Sequence, residues 1–377
     1  MSTAIYAFSG DPITFGHINI IERAAKIFDK IIVAIGVNPD KKYTFSLEER
    51  VEMARQSLSH LPEVRVLSFQ GLLVDFAYEQ KADVIVKGVR NAADFNYEAV
   101  LNQLGDSQKL GLETVLLPAD PKLAHVSSSA VKALQREQGL IHEFVSLSVK
   151  SRLEERLSGQ YIIGVTGEIA AGKSYLCHRL VELGRQYNIP VCNIDLDEIG
   201  HEIIGSLTEP RYADVRRQII ECFGKEVAEG NGLINRKKLG EIVFSDREKL
   251  SQLNRIMYQP LLVRLRRSLY GKKGLILFNA ALLIESNMSH LSNNRMILID
   301  LSPEVQAKRM ANRGLSAEQI ATRLASQYDF LTKKRLLQQK IDQQGFGKIW
   351  QITGDANDQE IAEFFREIVG YFKELSI

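Results

Sequence analysis

Short runs of apolar residues alternate along the chain with longer stretches whose apolar positions recur every three or four residues. AIYAF (4–8), IIVAIGV (31–37), VRVLS (64–68), DVIVKGV (83–89) and ETVLLP (113–118) have the content and length of strands. Between the first two, Ile18, Ile21, Ala24, Ala25 and Phe28 lie at helical spacing and predict a helix over 17–28. SLEERVEMARQSL opens with Ser46 and Glu49 in capping-box spacing, which marks a helix start, and LVDFAYEQ has a further helical pattern. Strands and helices in this succession read as a parallel sheet wrapped by helices. Ligands of such sheets bind beyond the C-terminal ends of the strands.

The charged stretch KSRLEERLSGQ (150–160) predicts the end of a helix followed by a short linker. After it the alternation restarts with YIIGVTG (161–167), and PVCNI, LILFNA and MILIDL supply further strands. The closing stretch QEIAEFFREIVGYFKEL carries Ile361, Phe364, Phe365, Ile368 and Phe372 on one helical face, expected to pack on its own domain. No internal repeat is visible. The reading is α/β, with two tandem domains over 1–157 and 158–377, and a length of 377 residues fits two.

Composition narrows the function. Apolar residues at 45% and charged residues at 25% are ordinary for a globular chain, and a net charge of +2 predicts no nucleic-acid partner. Small anionic substrates stay open. No apolar run is long enough to span a bilayer and no secretory leader pattern opens the chain, so no membrane partner and a cytoplasmic location are expected. Cys177, Cys192 and Cys222 lack metal-type or redox-type spacing and read as reduced thiols. A homo-oligomer is left open.

The sharpest chemical signal is GEIAAGKS (167–174), which fits the phosphate-binding loop G-x-x-x-x-G-K-[ST] between a strand and a helix. Its glycines let backbone N–H groups wrap phosphates, Lys173 reaches the terminal phosphates and the Ser174 hydroxyl ligates Mg²⁺. This domain is expected to bind a nucleoside triphosphate. Downstream, NIDLDEIG sets Asp195 and Asp197 two apart in a loop after a strand, so that one can sit near Mg²⁺ and the other accept a proton from an attacking hydroxyl. KRMANRG (308–314) and Arg323 place cations on consecutive helical segments.

Over roughly residues 160–355 the chain resembles dephospho-CoA kinase. The resemblance rests on TGEIAAGKS, NIDLDEIG, GLINRKKLGEIVF, ALLIE (281–285), the Lys308–Arg313 segment and RLASQ (323–327). It implies transfer of the ATP γ-phosphoryl group to the ribose 3′-hydroxyl of dephospho-CoA, with Asp197 and Lys173 catalytic. Gly167, Ala170, Ala171, Gly172, Ser174, Arg309 and Arg313 would hold ATP, Arg236 the acceptor, and Ser174 and Asp195 the Mg²⁺. The chain departs from the family at Glu168 (usually glycine), Gln259 (usually histidine before Pro260) and Ala281 (usually proline).

A second cluster opens the chain. AFSGDPITFGH places Thr14, Gly16 and His17 where the first strand gives way to a helix, the setting of nucleotidyl transfer. Gly16 lets the backbone approach a triphosphate, and His17 can hydrogen-bond the α-phosphate as its charge builds. NPDKKYTF (Lys41, Lys42), VKGVRNAADFNYE (Lys87, Arg90) and VSSSAVK (Ser127, Ser128, Ser129) add cations and hydroxyls at further strand ends.

Together these segments resemble bacterial phosphopantetheine adenylyltransferase over roughly residues 3–157. That implies a Rossmann-like nucleotidylyltransferase domain ahead of a P-loop kinase domain. Ser9, Lys41, Lys87, Arg90 and Glu98 would bind 4′-phosphopantetheine, Thr14, Gly16 and Ser127–Ser129 would bind ATP, and His17 would stabilise the transition state. Lys87 stands where the family has arginine. Phe8-Ser9-Gly10 replaces its Gly-[TS]-Phe, so Phe8 is expected to narrow the pocket and Gly10 to open room beside it. The two resemblances describe consecutive reactions, the last two of coenzyme A synthesis, in the order of the fused coenzyme A synthase. Two alternatives remain: an active kinase fused to a degenerate ligand-binding first domain, or a different nucleotidylyltransferase and kinase pair.

Overall fold

A strand that is apolar on both faces must be covered on both. In β2 (Lys30–Gly36) the five residues Ile31 to Ile35 are all buried. With β1 (Thr3–Phe8), β3 (Val64–Phe69), β4 (Val84–Val89) and β5 (Glu113–Pro118) it forms a parallel sheet in the order β3-β2-β1-β4-β5. The computed structural model describes residues 2–244, 246–312, 320, 324 and 327–372. The chain divides into two units, Met1–Leu157 and Ser158–Ile377.

In the first unit the pleat sorts alternate residues onto two apolar layers. Tyr6, Val33 and Ile35 pack with Ile21 of α1 (Phe15–Ala24), Met53 of α2 (Leu47–Ser57) and Val131 of α5 (Ser128–Arg136). Ile5, Ile32 and Ile85 face the other side, where Ala77 of α3 (Leu73–Glu79) covers them. Helix α4 (Ala92–Asp106) follows β4, and α6 (Leu147–Leu153) ends the unit. The strand order reverses between β1 and β4, which opens a crevice at their C-terminal ends.

The second unit repeats the principle with a different order. β6 (Gln160–Gly167), β7 (Val191–Asp195), β8 (Gly274–Asn279), β9 (Arg295–Asp300) and β10 (Lys348–Thr353) form a parallel sheet in the order β10-β9-β6-β8-β7. β6 is central and feeds the phosphate-binding loop into α7 (Lys173–Gln186). Helices α8 (Leu196–Gly205), α9 (Pro210–Phe223), α10 (Arg236–Phe244) and α11 (Arg247–Leu269) lie between β7 and β8 in the chain. α12 (Pro303–Ala311) and α13 (Phe330–Gln344) follow β9. The last described helix, α14 (Asp358–Tyr371), buries Ile361, Phe364, Phe365 and Ile368 in this unit's own core, with Phe372 just beyond it.

The structure corrects or sharpens the sequence expectation in four places. Helix α1 spans 15–24 rather than 17–28, because Thr14 caps it early through a capping box with His17 and the regular helix gives way after Ala24 to turns that carry the backbone bonding on to Phe28. The segment at 150–160 ends a helix and leads through a short linker, as expected, and the structure adds the detail. α6 runs into one π-helical turn (Glu154–Ser158), buries the Lys150–Glu154 ion pair at 2.6 Å, and reaches β6 through Gly159 alone at φ +65°. β10 was not foreseen. Asp195 and Asp197 lie in no loop either: Asp195 ends β7 and caps α8, and Asp197 is in that helix's first turn.

Arg50 of α2 is 2% exposed, and its guanidinium donates to the carbonyls of Gly36, at 2.9 Å, and Ser9, and lies 3.9 Å from the Tyr43 ring centroid. It ties the ends of β1 and β2 together. An unmade buried hydrogen bond costs about 1–3 kcal/mol, so Arg50→Met, which strips both carbonyls of their donor, is expected to cost about 3 kcal/mol. Hydrogen exchange of the β1 and β2 amides under increasing urea measures the loss.

Candidate active sites

In the first unit the loop after β1 is held by a buried carboxylate. Asp11, 5% exposed, accepts hydrogen bonds from the N–H groups of Thr44, at 3.1–3.2 Å, and Phe45, at 3.0 Å, and from the Lys132 ammonium of α5. Ser128 Oγ donates to the Pro12 carbonyl at 2.8 Å. The turn containing Ser9, the loop containing Lys41 and the helix start at Ser127–Ser129 are thereby assembled. Lys41 Nζ comes within 3.5 Å of Ser9 Oγ. Ser127 caps α5 by accepting from Ala130 N–H, and Ser129 lies in its first turn.

His17 sits in the first turn of α1. Its Nδ1 accepts the Thr14 backbone N–H at 3.1 Å and lies 2.9 Å from Thr14 Oγ1. That leaves Nε2 as the protonated nitrogen of the neutral ring. Burial, with the nearby Arg90 charge, pushes the imidazole down to about 4, so the ring is neutral at physiological pH. Phe8 lies flat on the ring, with centroids 4.3 Å apart and planes 12° apart. A Cβ at Gly16 would meet only ordinary contacts, the nearest at 3.5 Å, so protein packing does not demand glycine there. Open backbone at a helix N-terminus suits an approaching phosphate.

A cavity of about 540 Å³ adjoins this turn, lined by Phe8, Ser9, Leu73, Lys87, Glu98 and Asn102 among others. Lys87 and Glu98 pair at 3.0 Å on its wall and are mostly buried. Arg90 holds Asp94 with a two-pronged contact, at 2.7 and 3.2 Å. The Phe8 ring does not close the cavity. The room at Gly10 belongs to that ring, whose edge lies 3.3 Å from where a Gly10 Cβ would be.

In the second unit the phosphate-binding loop takes left-handed conformations at Ala170 and Gly172. Gly167 has no room for a side chain, since a Cβ would lie 2.9 Å from the Ile299 carbonyl. Lys173 Nζ donates to the Gly167 and Glu168 carbonyls at 3.3 and 3.4 Å, and Ser174 is exposed in the first turn of α7. Arg309 donates to the carbonyls of Ala170, inside the loop, and Gly354, at 3.2 and 2.9 Å, so it braces the loop. Arg313 and Arg323 lie outside the described residues.

Asp195 accepts from Glu198 N–H at 3.0 Å and from Asn279 Nδ2 at 2.8 Å. Asp197 accepts from the Ala281 N–H at 3.1 Å and lines a cavity of about 430 Å³ with Ser251, Asn254, Tyr258 and Glu285. Burial pushes its carboxyl above the usual carboxylate range, against the pull of the Lys173 ammonium and of the Ala281 N–H. Arg236 of α10 contacts His201 of α8 at 2.9 Å, and the Asp195 charge acts on that imidazole. Among the described residues no cluster of three or more His, Cys, Asp or Glu could hold a metal by itself. Ser174 and Asp195 supply hard oxygen donors of the kind that suit a Mg²⁺ arriving on nucleotide phosphates.

Several groups escaped the sequence reading. Glu168 Oε1 accepts the Phe330 N–H that opens α13, and its Oε2 accepts from Gln306 of α12, both at 2.9 Å. Lys333, 1% exposed, donates to Glu285 at 2.7 Å and to the Ala281 carbonyl at 2.8 Å. Asp11, Lys132, Arg50 and Gly354 were also missed. The signal for Lys132 was at hand, on the same helix as the serines and one turn on.

Family comparisons match a cytidylyltransferase-like family over residues 9–134 and a dephospho-CoA kinase family over residues 161–346. Phosphopantetheine adenylyltransferase of Actinobacillus pleuropneumoniae serotype 3 is 44% identical over 154 residues, 41% of this chain and 98% of the relative. That of Clostridium perfringens strain ATCC 13124 is 43% identical over 158 residues, 42% of this chain and 96% of the relative. Among solved structures, a dephospho-CoA kinase from Campylobacter jejuni is 22% identical, covering 58% of this chain and 98% of its own, with a TM-score of 0.30.

Two outcomes follow from this geometry. Ala281→Pro removes the N–H that holds Asp197 down, so the carboxyl titrates at higher pH, while Ala281→Gly leaves it unchanged; carbon NMR of the Asp197 carboxyl reads both. A Cβ at Gly354 would lie 2.2 Å from the Ala171 carbonyl of the loop. Gly354→Ala is therefore expected to weaken ATP binding roughly tenfold, about 1.4 kcal/mol, by titration calorimetry.

Proposed function

Because the chain belongs to the phosphopantetheine adenylyltransferase family through its first unit and carries a dephospho-CoA kinase domain in its second, we infer that it performs the last two steps of coenzyme A synthesis in sequence. It is a bifunctional transferase. The observation that carries the reading is the pairing itself: the first reaction makes dephospho-CoA, and the second consumes it.

In the first unit the 4′-phosphopantetheine phosphate lies against Ser9 and Lys41, with Lys87, Arg90 and Glu98 around the cavity that takes the pantetheine arm. Thr14, Gly16 and Ser127–Ser129 face the ATP phosphates, where two helix N-termini favour anions. A phosphate oxygen of the acceptor attacks the α-phosphorus, the bond to the β-phosphate oxygen breaks, and pyrophosphate leaves. His17 donates from Nε2 to the α-phosphate oxygen on which charge builds, a role suited to a neutral ring whose tautomer is fixed by Thr14. Alignment and charge stabilisation supply the rate, with no covalent enzyme intermediate.

In the second unit the loop from Gly167 to Ser174 wraps the ATP phosphates, Lys173 reaches the terminal ones and Arg309 keeps the loop in shape. Asp197 takes the proton from the 3′-hydroxyl as its oxygen bonds to the γ-phosphorus, and ADP leaves. Burial gives this carboxylate the raised basicity that a proton acceptor needs. Mg²⁺, held by Ser174 and Asp195, would neutralise phosphate charge. Arg236 is assigned to the acceptor's phosphates, and Arg313 to those of ATP. The reducing cytoplasm is the setting, a reading supported by three free cysteines; among the described residues no helix is long and apolar enough to cross a membrane.

His17→Ala is expected to lower pyrophosphate release from 4′-phosphopantetheine and ATP by roughly 100-fold or more, the scale of losing one oxyanion donor, while dephospho-CoA is still phosphorylated. Asp197→Asn should do the reverse and let dephospho-CoA accumulate. Chromatographic separation of the nucleotide products reads both. Loss of both activities in each variant would contradict the division of labour.

A further inference from the structure

We propose that Phe8 is a positioning residue for adenylyl transfer: its ring, laid flat on the His17 imidazole, holds the plane that aims Nε2 at the α-phosphate. The inference rests on the first-unit reaction assigned above and adds a residue that reaction does not otherwise use.

A histidine in the first turn of a helix has two side-chain torsions to settle. The Thr14 N–H fixes one point of the ring, Nδ1, at 3.1 Å. A single hydrogen bond to one nitrogen still lets the ring tilt about it. The flat contact with Phe8, with centroids 4.3 Å and planes 12° apart, removes that freedom. The two contacts fix both the tautomer and the direction of Nε2–H.

Phe8 is itself held. Tyr6, two residues earlier on β1, packs against it with centroids 5.2 Å apart. Its outer edge occupies the space beside Gly10, where a Cβ would come within 3.3 Å of the ring and 3.2 Å of Ile35. The aromatic residue at position 8 and the absent side chain at position 10 therefore form one arrangement. The same ring lines the cavity of about 540 Å³ assigned to the acceptor, so it stands between acceptor and imidazole. Burial, and among charged groups Arg90 beyond β4, keep the imidazole neutral. The Asp11–Lys132 pair on the same turn neutralises itself.

Two substitutions separate the stacking plane from mere packing. Phe8→Leu keeps an apolar wall but no plane, and Phe8→Tyr keeps the plane. The expected result is a fall in kcat for pyrophosphate release of roughly tenfold or more in Phe8→Leu with KM for ATP little changed, and near-normal kcat in Phe8→Tyr. Nitrogen NMR of the imidazole gives a readout independent of turnover. Burial pushes the His17 imidazole down to about 4, and it is expected to stay low in both variants, because leucine keeps the apolar wall. Equal kcat in the two variants would overturn the proposal, and so would a His17 titration that rises to the ordinary value in Phe8→Leu, which would place the effect of the ring in burial rather than in its plane. Absence of pyrophosphate release in the unaltered chain would instead overturn the assigned reaction, leaving the NMR comparison to decide the role of Phe8.

Discussion

The Asp11 carboxylate is the constraint around which the first site is built. It takes two backbone N–H groups from the loop after β2 and an ammonium from α5, while its own backbone belongs to the turn between β1 and α1. Three segments far apart in sequence meet at one buried anion. A buried charge is stable only when it is paired and hydrogen-bonded, and here every donor comes from a segment that carries a residue assigned above to phosphate. The bonds to Asp11 draw the segments of Ser9, Lys41 and Ser127–Ser129 into one neighbourhood. Loops at the ends of strands would otherwise be the least constrained part of the sheet.

The second unit solves the same problem with other chemistry. Its phosphate-binding loop is bonded to two neighbouring segments: to α12, where Arg309 donates to the Ala170 carbonyl and Gln306 to the Ile169 carbonyl, and to the start of α13, whose N–H Glu168 accepts. Glu168 puts a negative charge beside a loop that must hold phosphates. Its charge is directed at the positive end of α13 and at the Gln306 amide, where it is stabilised. Ala281 joins two polar systems, since its N–H reaches Asp197 and its carbonyl takes the Lys333 ammonium and the Thr166 hydroxyl. A proline at that position would lack the first of these bonds.

Much of this was legible along the chain, for physical reasons. Strands buried on both faces read as unbroken apolar runs, and the phosphate-binding loop and the Thr14–His17 cluster are local patterns that one turn of backbone makes meaningful. The Ser46 capping box is equally local. What escaped depends on tertiary distance. Lys132 and Asp11 are 121 residues apart, and Lys333 and Glu285 are 48 apart, so neither pair has a spacing to read. β10, KIWQIT, lies at a sheet edge with polar residues at both ends and at Gln351, and lacks the continuous run that announced the other strands. In the charged stretch at 150–160 the helix end was legible, but the burial of Lys150 against Glu154 was not. At Phe8 and Gly10 the sequence shows a change of size, but the stacking of Phe8 on His17 is visible only in three dimensions.

The most direct test supplies the unaltered chain with 4′-phosphopantetheine and Mg²⁺-ATP alone and quantifies coenzyme A, pyrophosphate and ADP. Two active units working in series predict coenzyme A with equimolar pyrophosphate and ADP. Phosphorylation of added dephospho-CoA without any pyrophosphate from 4′-phosphopantetheine would contradict the account, and so would pyrophosphate release that leaves dephospho-CoA unphosphorylated.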